Sequence, residues 1–171
     1  MNTFVWLEET ALSVWIREYP GLLGFPFILF LHTLGLAMIA GIGIAVDIWL
    51  LRNPTLVNGA RMKGMVQTMW LGFGINTVSG LALLLAYPAK ALTNPVFYTK
   101  MLLVGVGVYA VARIKREMFP NGYAAAGAVV TATARHWATA SLVVWFSAIV
   151  TGRLLAYTHH VLLAQDYLDA P

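Results

Sequence analysis

The chain has 171 residues, 60% of them hydrophobic and 11% charged, with no cysteine and a formal net charge of +4; its mean hydropathy is +0.75. A soluble domain carries about a quarter of its residues charged, so this composition argues against a water-facing globule and makes lipid the expected solvent. The absence of thiols excludes disulfides, thiolate metal sites and thiol nucleophiles.

In "TFVWLEETALSVWIREY", Phe4, Leu7, Ala11, Val14 and Trp15 recur at helical spacing, while Glu8, Glu9 and Arg17 occupy other positions. The pattern predicts an amphipathic helix over residues 4–18 lying in the membrane interface, with Trp6 and Trp15 at headgroup level. No basic region precedes a short apolar core, so a typical cleaved signal peptide is not expected. Pro20–Gly21 then turns the chain into the bilayer.

A helix needs about 20 apolar residues to cross a bilayer. Four stretches approach or exceed that length, at about residues 24–51, 65–86, 96–112 and 139–163. Breakers and charges separate them: "RNPTLVNGARMK", "YPAKALTNP" and "RIKREMFPNGYAAAG". The loops are short, so sequential helices are expected to be antiparallel neighbours. The alanine-rich "YAAAGAVVTATA" reads as a loop leading into the fourth helix. The predicted fold is an all-α integral membrane protein: one domain over residues 1–171, a four-helix transmembrane bundle preceded by the interfacial helix.

Lysine and arginine counts set the expected orientation. Arg52, Arg61, Lys63, Arg113, Lys115, Arg116 and Arg135 follow the first and third spans. Outside the spans, the other side has only Arg17 and Lys90, with Glu8, Glu9, Glu18, Asp166 and Asp169. The basic loops should face the cytoplasm and both termini the periplasm, in a bacterial inner membrane. Topology accounts for these loops without nucleic acid.

Ionisable groups inside spans are costly and are candidate functional groups. His32 lies about 12 Å below the outer end of the first span, and Lys100 about 7–8 Å below that of the third, at 1.5 Å per residue. If the fourth span leaves the hydrocarbon near Val161, Arg153 also lies about 12 Å deep. Arg153, Tyr157 and His160 share a helix face, and His159 is adjacent. Gly35, Gly41 and Gly43 follow His32, and Ala148, Gly152 and Ala156 form a stripe on the fourth helix. Such small residues serve close helix packing or leave room for a flat cofactor.

Two histidines and two cations in one dry layer suit haem b. Imidazole ligates iron, and arginine or lysine pairs with propionates. His32 and His160 are the expected axial ligands, with His159 as the alternative to His160, and Lys100, Arg153 and Tyr157 complete the expected binding set. Each residue also has a plainer reading. His32 can bond a neighbouring helix's carbonyl, Lys100 can snorkel, and His159 and His160 can be ordinary interfacial residues. Asp47, near the inner end of the first span, is expected to pair with Arg52 or Arg113. His136 belongs to the opposite face from the haem layer.

The stretch "FLHTLGLAMIAGIG" resembles the first span of CopD-like membrane proteins and of HemJ-type protoporphyrinogen oxidases, and "FYTKMLLVGVGVY" resembles the HemJ third span. The resemblance implies a four-span fold in which His32 and Lys100 serve haem b and activity. The chain departs from HemJ after the first helix, with "DIWLLRNPTLV", and in its fourth span, "TGRLLAYTHH".

Three functions follow: a b-type cytochrome exchanging electrons at the outer side, with a redox partner protein or a second copy of itself; a haem-dependent porphyrinogen oxidase; and a CopD-like copper-handling protein. Copper would use histidine with methionine. Of the methionines, Met62, Met65 and Met69 lie at the inner end of the second span, and only Met101 is near the outer layer. There is no nucleophile–base set, phosphate-binding glycine loop or paired carboxylates. The topology has a direct test. Cysteines introduced near Lys90 and Asp166 should react with an impermeant thiol reagent applied from outside, and cysteines at Ala60 and Asn121 should not. The reverse pattern overturns the orientation.

Overall fold

The computed structural model describes residues 5–55, 59–118 and 129–168, with side chains at 5, 59, 60, 89, 156 and 159–168 outside that description. The described chain is 88% helical and contains no strand. Two short helices, α1 (Val5–Glu8) and α2 (Ala11–Glu18), precede α3 (Phe25–Leu36). A π-helical turn, Ala37–Gly41, joins α3 without a break to α4 (Ile42–Arg52). Then come α5 (Gly59–Ala86), the short α6 (Pro88–Leu92), α7 (Pro95–Met118) and α8 (Ala132–Leu168). Four helical segments are long and apolar enough to cross a membrane: Phe25–Arg52, Arg61–Ala86, Pro95–Met118 and Ala132–Leu155.

The helices outrun the apolar stretches that mark them. Hydropathy registers only the lipid-like part of a helix, and its polar ends continue the same hydrogen-bond ladder. Thus α5 takes in "ARMKG", α7 runs on through "RIKREM", and α8 begins at Ala132. Thr131 caps α8, its Oγ1 accepting from Ala134 N at 3.1 Å. The N-terminal helix, expected to be continuous, is divided. Thr10 accepts from Ser13 N (3.3 Å) and donates to Leu7 O (2.9 Å), capping α2 and ending α1.

Helix α2 sits across the C-terminal end of α5 and supplies donors for carbonyls that the helix itself leaves unpaired. Ser13 Oγ donates to Leu85 O (2.8 Å) and Arg17 Nη1 to Ala86 O (3.0 Å), while Arg17 Nη2 reaches Glu8 O (2.8 Å). A guanidinium at a helix C-terminus also meets the negative end of its dipole. Trp6 and Trp15 remain exposed on the far side of α1 and α2. At the other end of the bundle Arg135 does the same for α4, donating to Leu51 O (3.5 Å) and Asn53 O (3.3 Å). Buried Asn94 caps α7 through Val96 N (2.9 Å) and ties it to α8 through Thr158 Oγ1 (3.0 Å).

In the bundle α3 packs on α5, α4 on α8, and α8 along α7. The tightest approach is between α3 and α5. A Cβ on Gly35 would stand 2.6 Å from Asn76 N, and one on Gly72 would stand 2.5 Å from Met38 Cβ and 3.1 Å from Gly35 O. The two backbones touch because neither glycine has a side chain. Two apolar clusters fill the interior: Ile39, Ala40, Met69, Val111, Trp145 and Ala148 at mid-height, and Val46, Leu50, Met62, Ile114, Met118 and Ala138 towards the α4 C-terminus. Large apolar side chains such as Phe30, Leu71, Val78, Leu102, Val143 and Phe146 point outward.

The α3–α5 contact yields a stability prediction. Gly35→Ala forces backbone against backbone and should cost about 1–3 kcal/mol, whereas Gly74→Ala, with nothing within 4 Å, should be neutral or stabilising. Unfolding in mixed micelles of increasing denaturing-detergent fraction measures both.

Candidate functional site

The tight α3–α5 crossing builds a polar node around His32. Asn76 Nδ2 donates to His32 O at 2.7 Å, and the His32 imidazole reaches back, Nδ1 lying 3.1 Å from Asn76 O and 3.3 Å from Ser79 Oγ. A carbonyl can only accept, so Nδ1 carries the proton and donates. The Ser79 hydroxyl donates to Ile75 O (2.6 Å), which leaves its lone pairs for the imidazole. Gly80 gives the ring its space: a Cβ there would stand 3.1 Å from His32 Cε1.

With Nδ1 committed, the neutral ring presents its lone pair at Nε2. Lys100 Nζ of α7 lies 3.5 Å from that atom, a long contact in which the ammonium donates. The lysine stem crosses in front of Gly152 of α8, whose Cβ would lie 3.7 Å from Lys100 Cε. All four long helical segments therefore contribute to one node: His32, then Asn76, Ser79 and Gly80, then Lys100, then Gly152. The π-helical turn begins at Ala37, just over one helical turn beyond His32. Such insertions recur at functional sites because they offset the faces of the two flanking helices.

Lys100 and His32 meet directly, and His32 also takes the carbonyl partner that its plainer reading allows. Arg153 lies next to Gly152, at the level of Lys100, but is exposed, as is Tyr157. The difference is azimuthal: one residue turns a helix by about 100°, so when Gly152 faces α7, Arg153 faces outward. His159 and His160 belong to α8, but their side chains lie outside the described residues. His136 is exposed near the start of α8. Met101 is exposed, and Met38 packs against Gly72. No group of three or more metal-binding His, Cys, Asp or Glu side chains occurs among the described residues.

Asn76 and Ser79 were not singled out in the sequence, although a signal is there. They stand three apart, followed by Gly80, in the otherwise apolar "GINTVSGLALLL". A polar stripe on one face of a span predicts an interhelical partner.

The expected pairing of Asp47 with Arg52 or Arg113 is not formed. Arg52 is exposed, the Arg113 guanidinium lies over the Trp137 ring (5.6 Å), and neither Asp47 Oδ2 nor Arg113 Nε has a hydrogen-bond partner.

Compared with protein-family models, curated proteins and solved structures, the chain matches none. The chain is thus an all-α helical bundle with four segments suited to a membrane, carrying a histidine–lysine pair on an asparagine–serine support.

Interhelical hydrogen bonds between spans contribute about 0.6 kcal/mol on average and up to about 1.7. Asn76→Ala removes the bond to His32 O and should fall in the upper part of that range, while Thr77→Ala, on the exposed face, should change nothing. The same detergent unfolding titration compares them.

Proposed function

We propose that the chain is a membrane-integral b-type haem protein that takes part in electron transfer or redox chemistry at the outer side of a bacterial inner membrane, with both termini periplasmic. The observation that carries this reading is the fixed His32 imidazole, its Nδ1 held by Asn76 O at 3.1 Å and its Nε2 turned inward. A metal-ligating histidine usually has its other nitrogen held by a carbonyl or carboxylate, which sets the tautomer and the ring plane. The outward side chains and the exposed tryptophans of α1 and α2 support the membrane placement and an interfacial position for those helices.

The residues present fit haem in donor and in charge. In this reading His32 Nε2 would hold the haem iron. Lys100 is the cation for a propionate, a role that fits its flexible stem and its partial burial beside Gly152. Asn76 and Ser79 orient the ligand, and Gly80 keeps the ring clear of α5. Bound there, haem b would supply one-electron exchange. Arg153 and Tyr157 face outward, so they serve a redox partner or the headgroup layer rather than the haem pocket. Either His159 or His160 remains the second ligand of the proposal.

A second reading, porphyrinogen oxidation of the HemJ type, is favoured by one observation, the 3.5 Å approach of Lys100 to His32. It uses the same haem. Copper handling has less support, since Met38 packs against Gly72 and Met101 is exposed.

Protein purified in mild detergent from haem-replete cells should show a b-type reduced-minus-oxidised spectrum. His32→Ala should abolish it, and Lys100→Met should reduce haem retention more than Arg153→Leu does. A colourless wild-type protein overturns the haem reading, and copper found by metal analysis would replace it.

A further inference from the structure

A second polar group lies far from His32 and has no part in the site described above. Asp47 is 1% exposed, Ser141 0% and Trp145 1%. Asp47 lies one helical turn beyond Gly43 on α4, and Trp145 one turn beyond Ser141 on α8. A Cβ on Gly43 would stand 3.4 Å from Trp145 Nε1, and the Ser141 hydroxyl stands beside the Asp47 carboxyl. No hydrogen bond joins the two, however. Asp47 Oδ2, Ser141 Oγ and Trp145 Nε1 all lack a partner. Buried polar atoms in native structures nearly always have one. Of these three orphans Asp47 borders a cavity, and its unpartnered oxygen calls for an occupant there.

The surroundings narrow the choice. A cavity of about 20 Å³ touches Asp47 and is lined by Gly43, Met62, Met69, Met118 and Lys115 among others. That volume holds a single water. A calcium ion needs about six or more oxygens, and the oxygen-bearing side chain among those lining this pocket is the Asp47 carboxyl. The charges on every packed element are engaged elsewhere or lie outside. On α7, Arg113 lies over Trp137, Lys115 and Arg116 are exposed, and Glu117 is half-buried next to Met118. On α8, Arg135 donates to the α4 carbonyls and His136 is exposed. On α5, Arg61 and Lys63 are exposed beside buried Met62. On α4 itself, Arg52 is exposed. Only Lys115 borders the cavity, and its exposed side chain marks where the cavity nears the end of the bundle.

We infer that Asp47 is a proton-exchanging site, loaded through a water in the cavity beside Lys115 from the side of the membrane opposite His32. The step is Asp47–CO₂⁻ + H₃O⁺ → Asp47–CO₂H + H₂O. An ionised carboxylate among methionine, leucine and valine side chains is poorly solvated, and with the one bordering cation, Lys115, exposed at the cavity's end, a proton is the available neutralising partner. Ser141 suits both states, because a hydroxyl donates to the carboxylate and accepts from the acid. Asp47 stands fifteen residues along α3–α4 from His32, about 22 Å at 1.5 Å per residue. The inference does not rest on the haem reading and survives its failure.

Infrared spectra of the full chain in lipid vesicles, taken across a pH series in H₂O and in D₂O, test it. The wild type should show a carboxylic-acid carbonyl band that grows as pH falls, shifts on transfer to D₂O, and is absent from Asp47→Asn. Asp47→Glu should move the band rather than remove it, which keeps the assignment open to test if the asparagine variant does not fold. Absence of the band at every pH would mean a permanently ionised group. A band that ignores both pH and D₂O would mean a sealed acid. Either result overturns the proposal.

Discussion

The contact on which the rest of the structure depends is the meeting of two backbones, α3 at Gly35 and α5 at Gly72 and Asn76. For helices apolar enough to cross a membrane, lipid would give no hydrophobic drive to associate, because its tails are as apolar as leucine. Close packing and hydrogen bonds must hold the helices together. Removing two side chains at Gly35 and Gly72 lets Asn76 reach the His32 carbonyl at 2.7 Å and lets the imidazole reach back to the Asn76 carbonyl. A wider crossing would leave those groups unpaired in a dry interior. The position of His32 is therefore a consequence of two glycines, neither of which touches its ring.

The π-helical turn then lets one continuous span serve two interfaces. Up to Gly35 the buried face of α3 looks at α5. Beyond Gly41 the buried residues Gly43, Val46, Asp47 and Leu50 belong to α4, which packs on α8. An inserted residue rotates everything after it by about 100°. The bundle thereby acquires two polar groups on one helical segment, separated by the apolar layer of Ile39, Ala40, Met69 and Val111. They differ in kind. The polar side chains around His32 are tied to one another and to backbone carbonyls, so that site is positioned. The inner group of Asp47, Ser141 and Trp145 has unfilled hydrogen-bonding capacity, so it is suited to exchange.

Helix ends follow the same logic of neighbours supplying what a helix lacks. Arg17 and Ser13 serve the last carbonyls of α5, and Arg135 serves those of α4. An arginine that topology alone would count as a loop charge thus turns out to carry a structural bond. Each links segments far apart in sequence, and none is implied by charge counting.

The four long apolar segments, their polar ends and the shared depth of His32 and Lys100 were legible in the sequence, because hydropathy and rise per residue are local properties. Depth alone also put Arg153 in the same layer, but it carries no azimuth, and α8 turns Gly152 inward and Arg153 outward. Likewise Asp47 was expected to find an arginine, since opposite charges at one end of a bundle suggest a pair. Packing instead set it against Ser141 and gave Arg113 to Trp137. Composition and spacing thus determined that this chain forms long helices apolar enough to cross a membrane, and where along them its polar groups fall. Only the tertiary structure decided which faces meet. Helix rotation depends on where glycines let backbones close and on a single inserted residue in a π turn, and neither leaves a trace in the hydropathy of the strand of sequence that contains it.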